Sequence, residues 1–507
     1  MDSPADVNKH TSSESYITLA VVVILTLTST LLMLSCASPE FTWDEADYSA
    51  NLAYHWSFLW GDSAYGRHGH GPMAIYLAKL GQEVLPRGTG SLETRFRFFD
   101  ALVGSLAVGF VYWTLRHCFR TSRGAALVGS GLLLFSVIRL EETNVIGPHH
   151  LMLLCTLAIV GLGYHWRETP TLQAALGLGA VMAFGALSMT YVIPAALCWV
   201  LAVALAGRQW VAWDRTHFKI SWSVPIMLGT ATILVLALWP PGVLHHVVIS
   251  NFRWYLHYQV ATTLVGERIF APAPRWAALY WLAHLDAPIL VVSVAVMVGA
   301  AWKAFKNGCL SSKHAYLAIS LAFFLATALA AHLSGSRNLL QFIGVSCLAT
   351  GALYDEALGC DRRLVRFGSV TIILLAALNL IWLSHSSSYT PSLAGDGYRA
   401  FLQENRDRCS EKANAVAFNL PALTFYAQES GTSLAWDLGE APWSPRANAP
   451  FSADTKYVLI PAFLYNYMPA DQPLRRVVAD HWRVVWSHKS AHAWELRLYE
   501  NPEATVH

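Results

Sequence analysis

The chain has 507 residues, of which 54% are hydrophobic and only 13% are charged. Soluble domains usually carry about 25% charged residues, so this composition excludes an ordinary water-soluble protein and indicates one that lies in a membrane. The net charge of +2 argues against a nucleic-acid-binding protein, which needs a basic face.

The eight cysteines are scattered without CxxC or zinc-ligand spacing, which argues against a disulfide framework. The first apolar run covers 16–36 and is long enough to cross the roughly 30 Å hydrocarbon core of a bilayer. A cleaved signal peptide is the alternative, but the many runs that follow favour a retained helix.

Further apolar runs lie at 99–118, 123–138, 149–164, 172–188, 191–207, 221–240, 276–302, 315–333, 337–353 and 366–384. With the first run they predict a polytopic α-helical membrane protein of about 11 transmembrane helices.

The charges of the connecting loops predict how these helices are oriented. Every second loop is basic, and short basic loops stay in the cytoplasm. These loops contain Arg116, Arg120 and Arg123; then Arg167; then Arg208, Arg215 and Lys219; then Lys303, Lys306 and Lys313; then Arg362, Arg363 and Arg366. We therefore expect a cytoplasmic N-terminus. Facing outside are the loops 37–98, 139–148, 241–275 and 334–336 and everything after about residue 385.

The first outer loop, 37–98, concentrates ionisable side chains in a chain that has few. They include Asp44, Glu45, Asp47, Arg67, His68 and His70. Such a group at the edge of a membrane span marks a site of chemistry or ligand binding. Two amphipathic stretches, 45–60 and 72–85, predict helices that lie along the membrane surface.

The composition changes after about residue 390. Residues 391–507 are predicted to form an extracytoplasmic α/β domain behind a transmembrane domain of residues 1–390. We expect strands at 414–418, 456–460, 483–487 and 493–499, and helices at 396–405 and 420–428.

Asp44 is the strongest candidate for a catalytic group. A carboxylate at the membrane edge can act as a general base that takes a proton from an acceptor hydroxyl. The alternative is a structural one, in which an Asp at the start of a helix caps the free backbone amides.

The order of these motifs resembles a known family of enzymes. WDEADYSANL at 43–52 is followed by HGPMAIYLAKL at 70–80 and ETRFRFFDALVGSLAVGFVYWTL at 93–115, and later by RWAALYWLAHLDAPIL at 275–290 and SRNLLQFIG at 336–344. This series is similar to the GT-C-type, family 39-like glycosyltransferases that use polyprenyl-phosphate sugars. Their superfamily includes the protein O-mannosyltransferases and the lipid A aminoarabinose transferases, and the C-terminal part is more similar to the latter.

The resemblance assigns roles to named residues. Asp44 becomes the catalytic carboxylate with Glu45 as its neighbour. Basic groups hold the donor phosphate, and the matching or nearby positions are Arg95, Arg97, His70 and Arg337. The chain departs from lipid A-type enzymes at 70–72, where His-Gly-Pro replaces Lys-Pro-Pro.

A second departure lies in the loop 139–148, where relatives often carry an Asp after the Arg. Here Arg139, Glu141 and Glu142 are the candidates for a second acid or a substrate contact. The alternative for the two glutamates is a solvated helix start.

The resemblance implies an inverting glycosyltransferase in the cell inner membrane. It would move a sugar from an undecaprenyl-phosphate-like donor to a lipid or envelope glycan at the outer face. Two alternatives stay open: a protein O-glycosyltransferase of the same superfamily, and a transporter or flippase for a lipid-linked saccharide. A transporter should show internal symmetry between its halves, and the sequence has no such repeat.

No cofactor is firmly predicted. The outer-loop histidines leave a divalent metal site as a weaker alternative to simple hydrogen bonding. They are His68, His70, His245, His246 and His257.

Overall fold

The computed structural model describes residues 4–37, 40, 73–86, 88, 90–144, 149–188, 215–238, 277–306, 311–330, 339–359, 362–385, 397–417, 420–439, 455–462, 482–489 and 495–504. Statements about what the structure lacks refer to these residues. The apolar run at 191–207 and the amphipathic stretch at 45–60 lie outside them.

The described chain up to residue 385 is mainly helical. The helices are α1 (Pro4–Ser35), α2 (Met73–Val84), α3 (Leu92–His117), α4 (Arg123–Leu134), α5 (Val137–Glu141), α6 (His149–Glu168), α7 (Leu172–Ser188), α8 (Arg215–Leu238), α9 (Ala277–Leu285), α10 (Ala287–Lys306), α11 (Ser312–Ala330), α12 (Leu340–Leu358) and α13 (Arg362–His385). A 3₁₀ turn, Glu142–Asn144, follows α5.

Five helical segments within the described residues are long and apolar enough to cross a membrane. They are Glu14–Ser35, Leu92–His117, Ala287–Lys306, Ser312–Leu329 and Arg363–His385. Three shorter apolar helices cover Arg123–Leu134, Leu172–Ser188 and Ser223–Leu238. The multi-pass, mainly helical architecture expected from the sequence is therefore present.

Glycines allow the helices to approach each other closely. A Cβ at Gly351 of α12 would lie 2.4 Å from Leu115 Cδ1 on α3 and 3.1 Å from the Ala125 carbonyl oxygen on α4. A Cβ at Gly109 would lie 2.6 Å from Thr26 Oγ1 on α1. Small residues matter at such contacts because lipid is as apolar as the side chains, so helices associate through close packing.

Several of the loops predicted to be basic meet at one end of the bundle, which we call the basic end. Arg123 pairs with Glu14 of α1 at 3.3 Å. The Ser122 hydroxyl donates to Asp355 Oδ1 at 2.7 Å, near the end of α12. The next residue, Glu356, pairs with Lys313 and lies 3.0 Å from His314, both at the start of α11. A common end for these loops agrees with the alternation of charge along the chain.

Two predicted apolar runs are each broken by a turn, and the two breaks are joined to each other. The run 123–138 ends its first helix at Leu134, and the run 276–302 is interrupted at Asp286. Asp286 accepts hydrogen bonds from Ser136 Oγ at 2.7 Å, from the Val137 amide at 2.8 Å and from the Ile138 amide at 3.3 Å. This buried carboxylate therefore caps the N-terminus of α5 from another part of the chain.

The described residues of the C-terminal part form a mixed sheet and three helices. The strands are β1 (Asn414–Ala417), β2 (Asp437–Gly439), β3 (Thr455–Pro461), β4 (Arg483–His488) and β5 (Leu496–Glu500), in the order β2-β1-β3-β5-β4. The helices are α14 (Tyr398–Glu404), α15 (Arg406–Ser410) and α16 (Leu420–Ser430).

The central strand of this sheet is parallel to one neighbour and antiparallel to the other. β1 pairs in parallel with both β2 and β3, while β5 is antiparallel to β3 and β4. Phe401, Leu423, Leu459 and Leu498 lie fully buried in its core. Phe96 of α3 belongs to the same apolar cluster, so the sheet region packs on the beginning of a membrane helix.

Candidate functional site

The beginning of α3 carries most of the described candidate residues. The helix starts at Leu92, seven residues before the predicted apolar run, and Ser91 caps it by accepting from the Thr94 amide at 3.2 Å. Its first two turns hold Glu93, Arg95 and Arg97. They lie against α2, where a Cβ at Gly81 would be 2.1 Å from the Arg95 carbonyl oxygen.

Glu93 joins this helix to the C-terminal part. Its Oε1 accepts from the Tyr426 hydroxyl at 2.7 Å and pairs with Arg399 Nη2 at 2.7 Å. Arg399 also lies 4.4 Å above the Tyr426 ring. Partial burial lowers the pKa of Arg399, but the nearby Glu93 and Glu429 outweigh burial and raise this pKa above its usual value. The Arg399 guanidinium therefore stays charged at any physiological pH.

Arg97 and Glu40 form a second contact at the same place, and both are buried. Arg97 Nη2 donates to the Glu40 carbonyl oxygen at 2.8 Å. The Glu40 carboxylate accepts from the backbone amides of Tyr398 at 2.8 Å and Arg399 at 2.9 Å. The structure thus joins Arg97, near the end of the first predicted outer loop, to Glu40 near its beginning.

Arg95 has different surroundings from Arg97. Its side chain is half-buried, and its Nε makes no hydrogen bond to any residue that the structure describes. A guanidinium presents five donors in a planar fork that suits phosphate oxygens. The sequence does not distinguish Arg95 from Arg97 as the phosphate ligand. In the structure, Arg97 is the arginine that donates a hydrogen bond to Glu40.

A buried Asp–His pair lies one turn further along α3. Asp100 Oδ2 and His150 Nδ1 of α6 are 2.6 Å apart. Gly104 leaves room for the ring, since a Cβ there would lie 2.8 Å from His150 Cδ2. Asp100 Oδ1 and His150 Nε2 have no hydrogen-bond partner among the described residues. Asp100 is not among the site residues predicted from the sequence, although its i+3 spacing from Arg97 is the spacing of a charge pair on a helix.

Arg139 is fully buried and its donors are engaged inside the protein. Its Nε and Nη2 donate to the carbonyl oxygens of Leu133 and Leu134, each at 2.8 Å, and its Nη1 donates to Ser29 Oγ at 3.0 Å. The side chain therefore satisfies the last carbonyls of α4 and ties that helix to α1. This is a structural use of the residue that motif matching could not reveal.

Glu141 and Glu142 are both buried, and they lie at the end of α5 and in the turn after it. The alternative of a solvated helix start is therefore wrong for both, because neighbouring helices cover this short segment. Their role as a second acid stays a prediction.

The remaining predicted site residues are Asp44, Glu45, His70 and Arg337, and they lie outside the described residues. The same holds for the histidines at 68, 245, 246 and 257. Within the described part of the chain, no three His, Cys, Asp or Glu side chains are grouped as metal ligands.

Comparisons with known proteins support one fold. A family model described as dolichyl-phosphate-mannose-protein mannosyltransferase matches residues 69–239. The structure of ArnT from Cupriavidus metallidurans bound to undecaprenyl phosphate is similar over 98% of this chain and 100% of its own, with 13% identity and a TM-score of 0.55. The chain has the GT-C glycosyltransferase fold.

A second GT-C structure covers the chain almost as completely. The archaeal oligosaccharyltransferase AglB from Archaeoglobus fulgidus, in complex with an inhibitory peptide and a dolichol-phosphate, matches 97% of this chain and 75% of its own, with 13% identity and a TM-score of 0.56. No curated protein sequence matches the chain. The likeness at this identity concerns the GT-C fold, and the chemistry has to be argued from the residues.

Proposed function

We propose that this chain is an inverting glycosyltransferase that takes a sugar from a polyprenyl-phosphate donor. The observation that carries the proposal is the GT-C fold over the whole chain, shared with a protein that holds undecaprenyl phosphate. The acceptor in this proposal is a lipid or envelope glycan at the outer face of the cell inner membrane.

The location of the arginines supports a donor site at the end opposite the basic end. Asp44 follows Glu40 by four residues, and four residues of chain span at most about 14 Å. Glu40 in turn contacts Arg97. The proposed base is therefore limited to the neighbourhood of the start of α3, the same end of the helix that carries Arg95.

The reaction is a single displacement. Asp44 accepts the proton of the acceptor hydroxyl while that oxygen bonds to the anomeric carbon of the sugar. The bond from this carbon to the phosphate oxygen breaks on the far side, so the configuration inverts. The electron pair leaves with the phosphate, and cationic groups stabilise the added charge.

We assign the phosphate contact to Arg95, with His70 and Arg337 as further candidates. Arg97 is assigned to holding Glu40, since its Nη2 already donates to that residue. Glu45 is placed beside the base, and Glu141 or Glu142 is kept as the second acid. Arginine suits the phosphate because it stays charged and can bind two oxygens.

The proposal includes a membrane topology. About 11 helices cross the bilayer, with the N-terminus in the cytoplasm and residues 391–507 forming a periplasmic α/β domain. The lipid chain of the donor then lies in the bilayer while its phosphate reaches the outer headgroups.

The test combines a strain and a purified protein. Mass analysis of envelope lipids and glycans from a deletion strain should reveal a missing sugar and the molecule that normally receives it. The purified protein should then transfer that sugar from its polyprenyl phosphate, and Asp44→Asn should lower the rate by at least about 100-fold. Asp47→Asn, an acid in the same loop, is the matched control and should stay near the parent rate.

Turnover by Asp44→Asn at the parent rate would remove the base assignment.

A second candidate, a protein O-glycosyltransferase, is favoured by the name of the matched family model. It would be indicated if the deletion strain lost sugar from proteins while its lipids and glycans stayed unchanged.

A further inference from the structure

Glu40 lies between two parts of the molecule that are far apart in sequence. It follows the end of α1 by five residues and precedes Asp44 by four. Its side chain is only 4% exposed, although it carries a carboxylate. A buried carboxylate needs several hydrogen-bond donors to offset its desolvation, so the groups that bind it are informative.

The donors come from the C-terminal part. The two oxygens of Glu40 each accept one backbone amide at the start of α14, those of Tyr398 and Arg399. The residue before this helix, Gly397, has no side chain and a φ of 102°, so it supplies no cap of its own. The Glu40 carboxylate therefore caps the N-terminus of α14 in place of a residue next to that helix in sequence.

The backbone of Glu40 is held from the other side. Its carbonyl oxygen accepts from Arg97 on α3 at 2.8 Å. The same stretch of α3 is joined to the C-terminal part through Glu93, Arg399 and Tyr426. Residue 40 is thus fixed by three groups that do not depend on its chain neighbours.

We propose that Glu40 is a positioning residue through which the C-terminal part sets the location of Asp44. This inference rests on the proposed function. With residue 40 fixed on α3 and α14, four residues of chain limit how far the proposed base can move. Loss of the Glu40 contacts should misplace the base without changing the phosphate contacts. A small misplacement of a catalytic group costs rate because catalysis depends on orientation.

The experiment compares Glu40→Gln and Glu40→Ala with the parent in full-length purified protein. Gln keeps one acceptor oxygen and should lower kcat by about tenfold, and Ala should lower it by about 100-fold. The donor KM should stay within about twofold, since the affected interaction acts on the chemical step. If Glu40→Gln keeps more of the parent kcat than Glu40→Ala, the oxygen atom that accepts a hydrogen bond from α14 is what positions the base.

Glu429→Gln is the matched control. Glu429 of α16 also binds Arg399, at 3.0 Å, but it is more than one-third exposed and contacts the Arg399 side chain, whereas Glu40 binds the Arg399 backbone amide. Its replacement should leave kcat unchanged. If both variants lower kcat equally, the effect belongs to general weakening of the C-terminal part and the positioning role is wrong.

A second measurement does not depend on activity. Hydrogen–deuterium exchange of peptides covering 38–48 should become faster in Glu40→Gln than in the parent, and should be unchanged in Glu429→Gln. Unchanged exchange in Glu40→Gln would overturn the positioning role even if the parent is active. If exchange is faster in Glu40→Gln than in the parent but the parent transfers no sugar, the Glu40 contact is supported and the proposed function is rejected.

Discussion

Asp286→Ala tests whether the hydrogen bonds between the two helix breaks stabilise the helical bundle. Its carboxylate is 1% exposed and accepts three hydrogen bonds, from Ser136 Oγ and from the Val137 and Ile138 amides. Hydrogen bonds to a charged group contribute about 1.5–3 kcal/mol each, and buried donors left without an acceptor add to the loss. Counting two good bonds and one long one, Asp286→Ala should cost about 4 kcal/mol.

Asp286→Asn should cost about half as much. An amide keeps one acceptor oxygen but points an N–H₂ group at donors. Stability can be followed by the intrinsic fluorescence of the 20 tryptophans during heating in detergent. For a chain of this size, about 4 kcal/mol corresponds to an apparent melting shift of roughly 5 °C. The scan rate must be held constant, because membrane proteins usually unfold irreversibly.

Two comparisons show whether the carboxylate contact is the cause. Asp407→Ala removes an exposed acid in α15 and should leave the melting temperature unchanged. In a double-mutant cycle, Ser136→Ala and Asp286→Ala should be non-additive by about 1 kcal/mol or more, because they remove the same bond. Additive effects, or a shift below about 1 °C for Asp286→Ala, would refute the assignment of Asp286 as the cap of α5.

Two further predictions concern packing and the donor site. Gly351→Ala should destabilise the protein by about 1–3 kcal/mol, because its Cβ would lie 2.4 Å from Leu115 Cδ1. Gly177→Ala should be neutral or slightly stabilising in the same thermal assay, because no atom of the described residues lies within 4 Å of the added Cβ. Arg95→Ala should raise the donor KM by about tenfold while leaving the melting temperature within about 1 °C, and Arg97→Ala should lower the melting temperature. Equal donor affinity for Arg95→Ala and the parent in a binding assay would remove the phosphate role.

The sequence was sufficient for features that depend on local patterns. The apolar run 99–118 lies within α3 except for its last residue, the run 366–384 lies within α13, and the predicted strand at 456–460 lies within β3. Each has a length or a composition that identifies it without knowledge of its neighbours. The short strand β2, Asp437–Gly439, was missed because three residues carry too little of such a pattern.

Features set by distant partners could not be predicted. The breaks at Ser136 and Asp286 fall inside apolar runs, and these two hydrogen-bonded residues are 150 positions apart. In the sequence, Glu141 and Glu142 fit a solvated helix start as well as a site role, and only the packing of other helices buries them. An acid followed by Ala-Pro inside an apolar run was the one local signal at Asp286.

Arg95 and Arg97 illustrate how a fold separates residues that a motif treats alike. Successive residues of an α-helix are about 100° apart, so positions 93, 97 and 100 fall within an arc of about 60° and position 95 lies on the opposite face. The three residues on the common face bind the C-terminal part, the chain at Glu40 and His150 of α6.

That division has an energetic consequence for the proposed site. The desolvation free energy of a buried ion pair can exceed the attraction between its charges unless the geometry is good. Removing one partner of such a pair is nevertheless strongly destabilising, because it leaves the other charge buried and unpaired. Substitution of Glu93, Arg97 or Asp100 should therefore affect folding together with any activity. Arg95, on the other face, can change without disturbing those pairs. A donor-binding defect that leaves the fold intact is thus expected at position 95 and at neither Glu93 nor Arg97.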